Sequence, residues 1–211
     1  MPEQPKKISK KKYYDNISVG ARTKQIVYLV QKHDKAYMFE QFLKNSDKKQ
    51  TVVIARSKRS ANELGVYLEA HDIKAVVVHG NHRKADLEEA SRAFNASKLN
   101  ILITTDMILK PLGLTNIQVM ANYELPTHEE DYFMRIRYVD EIGESISFVT
   151  PEEEKTLRTI EIMMRMDIPQ EKVQGFVTTT PNQTEKPAKD KKKKPRHGKK
   201  KTQNKSEKEI D

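Results

Sequence analysis

Apolar positions between Ile26 and about Gln174 follow two alternating periods. Short runs rich in β-branched residues, IVYLV at 26–30, TVVIA at 51–55, KAVVVH at 74–79, NILIT at 100–104, IQVMANY at 117–123 and SISFV at 145–149, are the predicted strands. Between them, apolar residues recur three or four apart and predict helices over 35–45, 58–70, 84–95, 128–137 and 151–166. Strand–helix alternation builds βαβ units on a parallel sheet, and strands without in/out alternation are those covered by helices on both faces. An α/β fold is therefore expected. In the last helix Leu157, Ile160, Met163 and Met164 form the stripe expected to face the core. No internal repeat is visible.

After Phe176 large apolar residues almost vanish, so a packed core cannot form there, and 177–211 is expected to be a disordered tail. Residues 1–20 are expected to be a basic arm, and 21–176 the folded domain. The net charge of +9 divides unevenly: +4 in residues 1–12, +7 in 180–211 and −2 in the body between. A near-neutral body with basic ends suits a domain whose grip on a polyanion is delegated to its arms. The same composition also suits a solubilising tail. In the tail the candidate phosphate contacts are Lys191, Lys192, Lys193, Lys194, Arg196, Lys199, Lys200 and Lys201. The absence of cysteine excludes disulfides, thiolate zinc sites and a cysteine nucleophile, and suits a reducing compartment. No apolar run approaches the roughly 18 residues of a membrane span, so a cytoplasmic protein without membrane contact is expected.

In open parallel sheets working loops lie beyond the carboxyl ends of the strands. Three such loops are polar here: Arg56-Ser57-Lys58-Arg59, Gly80-Asn81-His82-Arg83-Lys84 and Thr105-Asp106. Hydroxyls, approachable glycine backbone and cations on one rim are what phosphate oxygens need, and such contacts bind a backbone without reading bases. The alternative is that these loops decorate the fold and hold no ligand.

These residues carry a resemblance. From about Ala21 to Phe176 the chain resembles the C-terminal RecA-like domain of a DEAD-box RNA helicase, nearest to the RhlE-like branch. QTVVIARSKRSANEL at 50–64 resembles motif IV, VVVHGN at 76–81 the start of motif IVa, and NILITTD at 100–106 opens motif V. MANYELP at 120–126, EDYFMRI at 130–136 and GESISFVTPEE at 143–153 complete the series in order. The resemblance implies a RecA-like sheet. It also implies nucleic-acid contacts at Ser57, Lys58, Gly80, Thr105 and Asp106, with Lys110 keeping positive charge where the family has arginine.

Departures from the family pattern bear on activity. Where motif V continues as arginine-glycine-leucine-aspartate, this chain has Lys110-Pro111-Leu112-Gly113, so the residue implied to touch the ATP ribose is gone. Motif VI is replaced by Met134-Arg135-Ile136-Arg137-Tyr138-Val139-Asp140-Glu141, which puts Tyr138 and Glu141 at the two arginine-finger positions. Such fingers are worth about 10³ to 10⁵ in rate, roughly 4 to 7 kcal/mol. Arg137 lies one residue early and compensates only through a register shift. Where motif IVa has a glutamine and an arginine, Lys84 and Leu87 stand, and lysine at 84 offers a point charge without bidentate geometry. The chain has no G-x-x-x-x-G-K-[ST] and no Asp-Glu-Ala-Asp, so it reads as a free-standing second half that binds no ATP unless a partner domain completes the site.

Other groupings are less informative. His79 and His82 straddle a strand end without a third ligand nearby. Asp106 lacks a nucleophile to serve and is expected to tie down its own loop. Glu152, Glu153 and Glu154 are expected only to complement a helix dipole. Tyr13 and Tyr14, beside five lysines, suit either stacking on unpaired bases or linker packing. The leading expectation is an RNA-binding accessory domain without ATPase activity, acting on single-stranded or structured RNA or on ribosomal particles. One half of a split helicase docking on a separate ATP-binding domain, and an interaction module for another protein, are the rivals.

Overall fold

The computed structural model describes residues 10–46 and 48–179. Six parallel strands form one sheet: β1 (Lys24–Leu29), β2 (Thr51–Ile54), β3 (Val76–Val77), β4 (Ile101–Thr104), β5 (Ile117–Asn122) and β6 (Val139–Val149), in the spatial order β1-β6-β5-β2-β4-β3. Among the described residues seven α-helices accompany them: α1 (Lys10–Arg22), α2 (Lys35–Asn45), α3 (Lys58–Ala70), α4 (Lys84–Asn95), α5 (Asp106–Leu112), α6 (Glu129–Ile136) and α7 (Glu154–Met164).

Both faces of the sheet are buried, which is why its strands lack alternation. Val53, Ile103, Val119, Ala121, Ile146 and Phe148 point toward α2 and α3, where Phe39, Phe42, Leu64 and Leu68 meet them. The intervening residues Val52, Ile54, Leu102 and Met120 pack on Phe94 of α4 and on Ile108, Leu109 and Leu112 of α5. A third cluster joins Val27 and Val149 to Tyr132 and Phe133 of α6, Leu157 and Ile160 of α7, and Val19 of α1. Leu157, Ile160 and Met164 are buried and Met163 packs against the same cluster, as the stripe predicts.

Two helices escape the periodic pattern. Residues 10–20, expected as part of a basic arm, belong to α1, whose Val19 and Asn16 are buried. α5 contains Pro111, a residue that opposes helix interiors, and ends at Gly113 with φ 56°, the left-handed conformation glycine adopts without strain.

The free edge of β1 is covered by the segment after α7: Val27 N donates to Pro169 O at 2.9 Å and Glu171 N to Val27 O at 3.0 Å. Capping an edge this way removes a template for strand pairing between chains. Beyond Phe176, Thr179 N donates to Asp34 Oδ2 at 3.0 Å and Thr179 Oγ1 bonds the same carboxylate.

Candidate nucleic-acid interface

The chain after β2 turns to α3 on one face of the sheet, whereas the chains after its neighbours β4 and β5 turn to α5 and α6 on the other. Diverging connections leave a crevice beyond the carboxyl ends of these strands, the usual ligand position in open α/β sheets.

On one side of this crevice Ser57 caps α3 and accepts from Ser60 N at 3.0 Å. Lys58, at the start of the helix, donates from Nζ to Asn81 Oδ1 at 2.5 Å. Gly80 is exposed beside it, and a Cβ added there would lie 3.8 Å from Lys58 Nζ. Thr105 is the buried N-cap residue of α5. The fold thus brings Ser57, Lys58, Gly80, Asn81 and Thr105 to one rim.

Arg56 and Asp106 are held differently. Arg56 folds across to the loop after β5, donating from Nε and Nη2 to Leu125 O at 3.1 and 3.0 Å and from Nη2 to Glu153 Oε1 at 2.9 Å. Asp106 receives both ends of the Arg135 guanidinium, Nε to Oδ1 and Nη2 to Oδ2 at 2.6 Å each. Arg135, fully buried, also donates from Nη1 to Asn122 Oδ1 and Glu124 O, both at 2.9 Å. A carboxylate gripped bidentately contributes order to its loop, and no cation, to a phosphate site. Lys84 and Lys110 are exposed: Lys84 lies 3.7 Å from the Glu88 carboxylate, and lines a 460 Å³ groove with Leu87, Pro111 and Leu112. The tail candidates from Lys191 to Lys201 lie outside the described residues.

Glu153 corrects an expectation. Rather than only complementing a dipole, its buried carboxylate accepts from Lys35 Nζ at 2.7 Å, Arg56 Nη2 at 2.9 Å, Leu125 N at 2.9 Å and Thr150 N at 3.2 Å. Burial pushes the Lys35 ammonium below the usual lysine range, and Glu153 opposes that shift. Neither Glu153 nor Arg135 was among the candidates. The available signal was a single charged residue on the apolar side of an amphipathic helix, and periodicity alone does not show whether such a group is paired.

Tyr138 and Glu141 do not face this crevice. Val139 pairs with Ile117, the first residue of β5, whereas Asn122 at the other end pairs with Ser147. Tyr138 is half-buried against the core under α4 and α5, and Glu141 is exposed on an excursion of β6 at the amino-terminal edge of the sheet. The His79 and His82 rings lie with centroids 4.2 Å apart, tilted by 50°, and His79 Nε2 meets Asn62 Oδ1 at 3.0 Å. Burial, His82 and Lys58 together push the His79 imidazole below its ordinary value. Among the described residues no three His, Asp or Glu side chains are grouped to hold a metal ion.

Comparison with known proteins agrees with this architecture. Residues 34–137 match the sequence profile of the helicase conserved C-terminal domain. The chain carries a helicase C-terminal domain homologous to those of DEAD-box RNA helicases. The DEAD-box ATP-dependent RNA helicase RhpA of Helicobacter pylori is 27% identical over 168 residues, covering 74% of this chain and 34% of that protein. A DEAD box protein from Methanococcus jannaschii superposes with a TM-score of 0.67 at 28% identity, covering 73% of this chain and 43% of that one. Escherichia coli SrmB, solved bound to the regulator of ribonuclease activity A, has the same fold, with a TM-score of 0.67 at 16% identity over 75% of this chain and 98% of the other. This helicase domain therefore spans about a third of RhpA and under half of the Methanococcus protein. No helix among its described residues is long and apolar enough to cross a membrane.

Proposed function

We propose that this helicase C-terminal domain binds the phosphate backbone of RNA at the rim formed by Ser57, Lys58, Gly80, Asn81 and Thr105, and that it does not turn over ATP by itself. The observation that supports this most is Lys58. Its ammonium stands beside the exposed Gly80 backbone, and among the described residues the neutral Asn81 oxygen is its only hydrogen-bond partner, so no described carboxylate pairs with its charge. Arg56 is engaged with Glu153 and shapes the rim, with its side chain half exposed. That RhpA is an RNA helicase favours RNA over other polyanions.

The lysine-rich segment 180–211 supplies further attraction, strong at low salt because phosphate binding releases counterions. The placement of Tyr138 and Glu141 at the far edge of the sheet supports the absence of an arginine finger. ATP chemistry requires a separate ATP-binding domain, which is the alternative partner. Cytoplasmic RNA or ribosomal particles are the targets in keeping with the composition.

Fluorescence anisotropy with labelled single-stranded RNA tests the reading, comparing the full chain with one ending at Thr179 over about 50 to 200 mM salt, with and without ATP. Binding by both chains, a flatter salt slope for the shorter one and indifference to ATP are expected. Failure of both to bind, or sharp tightening by ATP, overturns it.

A further inference from the structure

A second basic site lies at the opposite edge of the sheet. The amino-terminal ends of β2 and β4, at Thr51 and Ile101, and the chain approaching β3, at Ile73, surround a cavity of 350 Å³. Lys44, Lys48, Lys49 and Lys74 line it. Lys44, Lys48 and Lys49 belong to one stretch and Lys74 to another, so the fold is needed to bring Lys74 to the other three.

Intramolecular pairing accounts for half of this charge. Lys44 is paired with Glu40 at 2.6 Å and Lys49 with Glu144 at 3.0 Å. Lys48 and Lys74 are exposed and have no ion pair among the described residues. Asp72 lines the same cavity, so with Lys44 and Lys49 paired the two unpaired lysines face one carboxylate and leave a net positive charge of one. Asn100, also in the lining, adds a neutral hydrogen-bonding side chain of the kind that accompanies lysines on phosphates, whereas the Ser46 hydroxyl donates to Phe42 O at 2.8 Å.

We infer that this cavity is a second contact for a polynucleotide backbone, independent of the rim at the carboxyl ends. A concavity in which unpaired cations outnumber carboxylates focuses a positive field and favours an anion over dispersed surface lysines. β2 separates the two positions: five residues from Thr51 to Arg56 span about 17 Å at the strand rise. An RNA longer than a few nucleotides reaches both, and the second contact then forms at high effective concentration. The rim reading above supplies RNA as the polyanion, but the cavity stands on its own lysines.

The test measures the full chain binding a labelled 24-nucleotide single-stranded RNA across a salt series. Three variants are compared with the parent: Lys48→Ala/Lys74→Ala in the cavity, Lys58→Ala at the rim, and Lys155→Ala/Lys172→Ala as a control of equal charge change outside both. Because the cavity lysines are exposed, an unchanged Tm is expected. Loss of two single-strand phosphate contacts reduces the slope of log K against log salt by about 1.4. The cavity variant is expected to show that reduction and the control to show none. A cavity variant indistinguishable from the parent or the control overturns the inference. If only Lys58→Ala weakens binding, the rim reading stands and this one falls. If only the cavity variant does, the reverse holds.

Discussion

Replacing Glu153 by glutamine removes one negative charge from the most heavily used carboxylate in the domain without changing its size. Its oxygens accept from Lys35, Arg56, Leu125 N, Thr150 N and Thr150 Oγ1. Both Glu153 and Lys35 are buried, so neither ammonium nor carboxylate recovers hydration when its partner is lost. Glutamine also turns one acceptor into a donor, aimed either at the Lys35 ammonium or at the Leu125 amide. Breaking a buried pair from one side costs about 3 to 5 kcal/mol. With an m-value of about 2 kcal/mol per molar urea, the midpoint falls by about 2 M. Urea unfolding followed by circular dichroism reads this shift. Lys35→Met in the same background removes the stranded charge and is expected to recover part of the loss, with a coupling energy of about 1 to 3 kcal/mol. A loss below about 1 kcal/mol for Glu153→Gln, or no recovery in the double variant, would refute the reading of Glu153 as a buried carboxylate that holds Lys35 and Arg56 by charge.

Arg135→Ala leaves Asp106 and Asn122 without their buried donor, and a loss of about 3 to 5 kcal/mol is expected in the same urea assay. Ser57→Ala removes the α3 cap and is expected to cost about 1 kcal/mol by thermal unfolding. Gly143→Ala places a Cβ 2.5 Å from Val139 Cγ1 and 2.9 Å from Gln118 O, so destabilisation of about 1 to 3 kcal/mol is expected, and an unchanged Tm would contradict the packing. Burial opposes ionisation of Glu40 and Glu144, but hydrogen bonds to Lys44 and Tyr67, and to Lys49 and Lys24, outweigh it and hold both carboxylates below the usual glutamate range. Their folded pKa values lie below the unfolded ones, so their stabilisation is present above pH about 4.5 and disappears as pH falls through the folded values. An acid titration of urea stability should show that decline, reduced when Glu144 is replaced by Gln. Burial pushes the Tyr132 phenol up to about 12, so alkaline titration should remove stability above pH about 10, where only the unfolded chain ionises it.

The linear sequence determined the α/β class and most element positions. α2, α3 and α4 occupy the predicted 35–45, 58–70 and 84–95, because periodic burial on a helix or strand is a local consequence of which side chains avoid water. The polar rim was also legible, since loops beyond strand ends need no long-range information to be located. Pairing across the sequence was not. Arg135 meets Asp106 across 29 positions and Lys35 meets Glu153 across 118, and nothing local distinguishes a paired buried charge from an exposed one. α1 and α5 were missed because lysine and proline outweigh a narrow apolar stripe when propensity is read alone. The far-edge positions of Tyr138 and Glu141 follow from how β6 registers with β5, and the lysine cavity exists only where three chain segments converge at the sheet's amino-terminal edge. Contacts of that kind depend on closing long loops around a common core, so the tertiary structure alone decided them.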